Sequence, residues 1–183
     1  MPWLRKGTVA AGAGQVDSVT AVDVRRDGGL VAVVRQGSHL FLMTRQPGNL
    51  PSHPGAEWRR PQTLKTTGPL PSLSGEPQLT LAWRDDPVNA SRLLLALPTV
   101  TGPLLLAGDP THPADAWAVH SLPGGGEARS VSLLDGYAIG RRYLEFAYIA
   151  HDQAYYSLSF DEGATWQQPA PLVCGHLKLQ PNG

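Results

Sequence analysis

Apolar positions in this chain come in short runs, alternating or crowded together, that break at Gly, Pro, Asn or Asp. Leu30-Val31-Ala32-Val33-Val34-Arg35 and Leu40-Phe41-Leu42-Met43-Thr44-Arg45 are two such runs, with Gln36-Gly37-Ser38-His39 between them. Branched and aromatic side chains suit a pleated, half-buried surface, and a central Gly supplies the positive φ of a tight turn, so the segment predicts a β-hairpin. The end of the chain repeats the pattern, where residues 143–149 and 154–160 flank Ala150-His151-Asp152-Gln153. In the middle, residues 78–84 and 92–97 predict strands, and Trp117-Ala118-Val119-His120-Ser121-Leu122 predicts a closing strand. Residues 101–116 read as an inserted loop. No stretch sustains a 3.6-residue apolar period free of Pro and Gly, so helices are not expected.

The runs also repeat as a set. Trp166-Gln167-Gln168-Pro169-Ala170-Pro171-Leu172 is echoed by Trp58-Arg59-Arg60-Pro61-Gln62-Thr63-Leu64, with Trp, Pro and Leu in register. Upstream, Ser130-Val131-Ser132-Leu133-Leu134-Asp135 mirrors Ser18-Val19-Thr20-Ala21-Val22-Asp23. Two correspondences in the same order argue for one repeated unit, and Trp58, Trp117 and Trp166 recur at roughly 50–60 residues. The predicted organisation is all-β: three antiparallel sheets over about 17–65, 70–123 and 128–173, preceded by an N-terminal arm of residues 1–16.

Composition agrees with this reading and narrows the partners. The 17 Pro and 20 Gly among 183 residues are spread along the chain, as short strands and turns require, and 42% hydrophobic residues suffice for a core. Net charge is zero, which predicts neither a nucleic-acid partner nor an anionic membrane surface. The pairs Arg25-Arg26, Arg59-Arg60 and Arg141-Arg142 read as solvated strand ends. Cys174 stands alone, so no disulfide can form within the chain. Met1-Pro2-Trp3-Leu4-Arg5-Lys6 leads into small residues rather than an apolar segment, so no signal peptide is expected, and no window is long enough for a membrane span.

The most specific segment is Ser159-Phe160-Asp161-Glu162-Gly163-Ala164-Thr165-Trp166. A short carboxylate at Asp161 can accept hydrogen bonds from nearby backbone N–H groups, Gly163 suits a positive φ, and Trp166 can cap the sheet with its ring. With Ser159 and Thr165, these residues fit the pattern Ser/Thr-x-Asp-x-Gly-x-Thr-Trp, and the chain resembles the Asp-box (sialidase-type) β-propeller family. That resemblance implies blade-like sheets, with the turn joining the third and fourth strands of a blade. Three blades make an open arc with two apolar flanks, so a second copy, a partner or terminal strands are expected to cover them. A further strand at His176-Leu177-Lys178-Leu179 is one candidate.

A second resemblance lies at the start. Met1-Pro2-Trp3, then Gly7-Thr8-Val9, is similar to the opening of many tailed-bacteriophage fibre and virion accessory proteins, although Ala10-Ala11-Gly12-Ala13-Gly14 replaces their polar stretch. It implies that Pro2, Trp3, Gly7, Thr8 and Val9 attach the chain to other virion or tail proteins, in a particle assembled in the host cytoplasm. The alternative is a cytoplasmic protein-interaction propeller.

Catalysis finds less support. Sialidases of the propeller family use three arginines, a Tyr nucleophile paired with a Glu, and an Asp acid/base. Their Arg-Ile-Pro-type segment is missing here, and Glu145 with Tyr143 or Tyr148 is the available pair. Strand alternation places Tyr143 and Glu145 on one face. The six His lack ligand spacing, Asp85-Asp86 and Asp109 read as turn acids before Pro, and Pro123-Gly124-Gly125-Gly126 reads as a flexible connection rather than a phosphate loop. We therefore expect no cofactor, no metal and no enzymatic activity. The expected function is structural or adhesin-like, with Trp83, Tyr137, Tyr143, Tyr155 and Tyr156 as candidate contacts for a cell-surface glycan.

Overall fold

The computed structural model describes residues 16–23, 30–45, 59–83, 90–109, 111–138 and 140–172. They form twelve strands and no helix: β1 (Ser18–Asp23), β2 (Leu30–Gln36), β3 (His39–Arg45), β4 (Gln62–Thr63), β5 (Gln78–Trp83), β6 (Ala90–Leu97), β7 (Leu104–Gly108), β8 (Ala118–Ser121), β9 (Ala128–Ala138), β10 (Arg141–Ala150), β11 (Gln153–Ser159) and β12 (Ala170–Pro171). Each consecutive group of four makes one antiparallel sheet whose strands pair in chain order, and no sheet closes on itself.

Turn chemistry sets each register. Gly37, at φ 59, turns β2 into β3 so that Gln36 faces His39 and Leu30 faces Arg45. The β10–β11 turn puts His151 and Asp152 at φ 49 and 60, two non-Gly residues in the left-handed region, and pairs Ala150 with Gln153. The echo after tryptophan is also visible, since β12 and β4 begin at the same offset after Trp166 and Trp58. Trp58 itself lies outside the described residues.

The sheets stack face to face. Val31, Val33, Leu40 and Leu42 of the first sheet pack on Leu93, Leu95, Leu97 and Leu106 of the middle one. From its other side, Leu94, Ala96 and Leu105 pack on Leu133, Leu144, Phe146 and Tyr148 of the third sheet. This two-sided burial explains β6. Its five consecutive residues Leu93, Leu94, Leu95, Ala96 and Leu97 are all 0% exposed, so the strand reads as a continuous apolar run instead of an alternation.

The first strands lie side by side, β1 against β5 and β5 against β9. Two hydrogen bonds tie them. The Leu79 N–H donates to Thr20 Oγ1 at 3.1 Å, and the Leu133 N–H donates to Gln78 Oε1 at 3.1 Å.

One expectation is corrected. Residues 101–116 are not simply an inserted loop, because they contain β7, which pairs with both β6 and β8. Its apolar run lacks alternation because both faces of the middle sheet are covered, and flanking Gly and Pro disguised it. The connection at residues 123–126 is exposed apart from the half-buried Pro123, and within it Gly124, at φ 128, runs so close to the third sheet that a Cβ there would come within 2.3 Å of the Tyr148 hydroxyl.

Candidate functional site

The turn between β11 and β12 is built by Asp161. Its Oδ1 accepts the Thr165 N–H at 2.8 Å, its Oδ2 accepts the Thr165 hydroxyl at 2.6 Å, and the Ser159 hydroxyl lies 2.8 Å from Oδ1. Ser159 Oγ also accepts the Gly163 N–H at 2.9 Å. The hydrogen bonds from Thr165 hold the Asp161 carboxyl below its ordinary pKa, with a smaller contribution from Ser159. Gly163 has φ 85 and Glu162, at φ 59, shares the left-handed region, which the sequence did not signal. The half-buried Trp166 ring meets Phe146 edge-on at 5.9 Å, and its indole N–H donates to the Gly163 carbonyl at 3.1 Å.

The middle sheet carries a counterpart between its own third and fourth strands, β7 and β8. Asp109 Oδ1 accepts the Thr111 N–H at 2.7 Å and the Thr111 hydroxyl at 2.6 Å, and these bonds lower the pKa of Asp109. Trp117 follows, 1% exposed, with its indole N–H donating to the Pro113 carbonyl at 2.9 Å and its ring against Gly108. Asp109 is thus a turn acid, as its sequence context indicated. The equivalence of the two turns was hidden because Thr111 follows its Asp more closely than Thr165 does and Trp117 follows later than Trp166 does.

The candidate contact aromatics scatter. Tyr155 stacks on Tyr148 at 5.2 Å, and Tyr148 stacks on Phe146 at 5.3 Å, so Tyr155 belongs to the core between the middle and third sheets. Burial, reinforced by Tyr155, pushes the Tyr148 phenol above its usual pKa and keeps it neutral. Tyr143 and Tyr156 lie on the opposite face of the third sheet, where Tyr143 meets Phe160 at 6.4 Å and covers Gly136. Tyr137 is 67% exposed near the end of β9. Trp83 ends β5, and its side chain lies outside the described residues, as do the arm residues Pro2, Trp3, Gly7, Thr8 and Val9.

For sialidase-like chemistry the geometry separates one pair and leaves the other unlinked. Glu145 shares its face with Tyr143, with no hydrogen bond between them, whereas Tyr148 points to the other side of the sheet. Among the described residues no group of three His, Cys, Asp or Glu is placed to hold a metal ion, and no helix is long and apolar enough to cross a membrane. The surface among the described residues has several concavities, one of them, of about 320 Å³, against the 159–166 turn beside Phe160, Asp161 and Trp166. A second, of about 240 Å³, lies beside the 109–117 turn and is lined by Thr44, Arg59, Arg60, Thr111, His112 and Asp115, among others. A third, of about 500 Å³, runs along the first strands and includes Thr20, Glu76, Gln78, Arg129 and Ser130.

Comparison with models of protein families, with curated proteins and with solved structures returns no match.

Proposed function

We propose that this chain is a non-catalytic structural or adhesin-like module, built from Asp-box propeller-type blades, that serves as a subunit of a bacteriophage tail or a related particle. The observation that carries the blade reading is the recurrence of one turn. In both the middle and third sheets, the connection from third to fourth strand holds an Asp that accepts two hydrogen bonds from one Thr, followed by a Trp packed on its own sheet. The side-by-side first strands and four-strand meanders support the same architecture.

Binding is favoured over catalysis because the carboxylates at the two turns are occupied in holding backbone, and Glu145 is not hydrogen-bonded to a tyrosine. The contacts would be with other particle proteins and, through exposed aromatics, a cell-surface glycan. Membership of a particle rests on the resemblance of the first residues.

The test is peptide mass spectrometry on density-purified particles from a culture that makes the protein. Tryptic fragments at fixed stoichiometry to a capsid protein are the expected result. Absence from particles would remove that assignment, and glycan-binding and hydrolysis assays would then separate an adhesin from a sialidase-like glycosidase.

A further inference from the structure

The outer face of the third sheet, turned away from the middle one, collects four of the seven large apolar side chains exposed among the described residues: Leu134, Ile149, Phe160 and Leu172. Tyr143, Tyr156 and Leu158 lie half-buried on the same face. The corresponding faces of the first and middle sheets are each covered by the next sheet in the stack. Four strands about 4.8 Å apart and some seven residues of about 3.3 Å each give a face of roughly 19 by 23 Å. That is roughly 440 Å² per copy, the scale of a weak, reversible interface.

Glu145 lies within this face, half-buried between Leu134 and Leu158, its neighbours on the adjacent strands. It forms no ion pair with any described residue, and neither does Arg141, four residues back on the same strand and face. A carboxylate between leucines loses hydration when the face is covered unless the covering surface brings a cation to it.

We infer that a second copy of this chain covers the face, through an isologous two-fold contact. An axis in the plane of contact, crossing β10 at Tyr143, reverses the strand direction. It sets Arg141 of each copy opposite Glu145 of the other and brings the two Tyr143–Phe160 pairs together at the centre. A head-to-tail arrangement with the first sheet is disfavoured, because the far face of that sheet is already closed: Ala32, Val34 and Met43 are 2%, 0% and 4% exposed. The inference rests on the stacking of the sheets and is independent of membership in a particle.

Sedimentation equilibrium of the full chain tests it over about 1–200 µM. The expected result is a monomer–dimer equilibrium in which Phe160→Ser, Arg141→Glu and Glu145→Arg each raise the dissociation constant about tenfold or more. The double variant Arg141→Glu/Glu145→Arg should return to within about threefold of wild type, a rescue that misfolding would not give. Val100→Ser, at an exposed apolar position off this face, should leave the equilibrium unchanged. A monomer throughout the range would overturn the inference and mean that a different protein covers the face. A dimer indifferent to all three single substitutions, or a double variant as weak as the singles, would overturn it as well.

Discussion

Replacing Asp161 with Ala removes two hydrogen bonds to Thr165 and one contact with Ser159, all made by a single carboxylate. Charge-assisted bonds of this kind contribute about 1.5–3 kcal/mol each when shielded, but Asp161 is exposed and water competes, so we expect a total loss of about 1–2 kcal/mol at pH 7. For a chain of this size that is a fall in melting temperature of roughly 2–8 °C. The pH dependence has a definite sign. The folded pKa of Asp161 lies below its unfolded value of 3.8, so its stabilisation is complete above the unfolded value and disappears as pH falls through the folded one. Urea titrations followed by tryptophan fluorescence should therefore give a constant difference between wild type and Asp161→Ala from pH 7 to about pH 5, narrowing below about pH 4. Asp161→Asn, which keeps one acceptor oxygen, should fall between the two. A difference under about 0.3 kcal/mol at pH 7, or one that widens on acidification, would refute the account of the turn.

Asp135, which pairs with Arg142, should behave oppositely. Burial raises the pKa of Asp135 more than Arg142, 3.1 Å away, lowers it, so its charged form is a net cost to folding and stability from this group is gained as pH falls. Asp135→Asn is then expected to leave the urea midpoint at pH 7 unchanged or slightly higher, whereas Arg142→Ala lowers it by leaving the carboxylate unpaired; a clear loss in Asp135→Asn would contradict this. The two tryptophans should differ by their burial. Trp117→Ala should cost about 3–5 kcal/mol, and Trp166→Ala, with a half-buried ring, about 2–3 kcal/mol, as measured by denaturant titration.

Legibility in the sequence followed local physics. Hairpins with a Gly at the turn, such as Gln36 to His39, announce themselves because one residue type is needed for one backbone conformation. At the β10–β11 turn the strands were equally visible, but His151 and Asp152 adopt positive φ under the demands of strand pairing and carry no comparable signal. β7 was missed because a strand covered on both sides has no alternation, and its five residues sit among prolines and glycines. The Asp109 turn was recognised as a turn and missed as a counterpart of the 159–166 turn, since hydrogen bonds of the same kind are reached there through different spacing. Which face of the third sheet is covered by the middle one was also hidden. Leu144, Phe146 and Tyr148 on one side and Tyr143, Ile149 and Leu158 on the other are comparably apolar, and only the stacking distinguishes them.

The complete enclosure of β6 bears on how this chain comes apart. Leu93, Leu95 and Leu97 belong to one core while Leu94 and Ala96 belong to the other, and all sit on the same eight-residue strand. Neither core can open by moving β6 without opening the other, so partial unfolding has no inexpensive route through the middle of the molecule. Fraying should begin at short edge strands such as β4, β8 and β12, and loss of β6 opens both inter-sheet cores in one cooperative step.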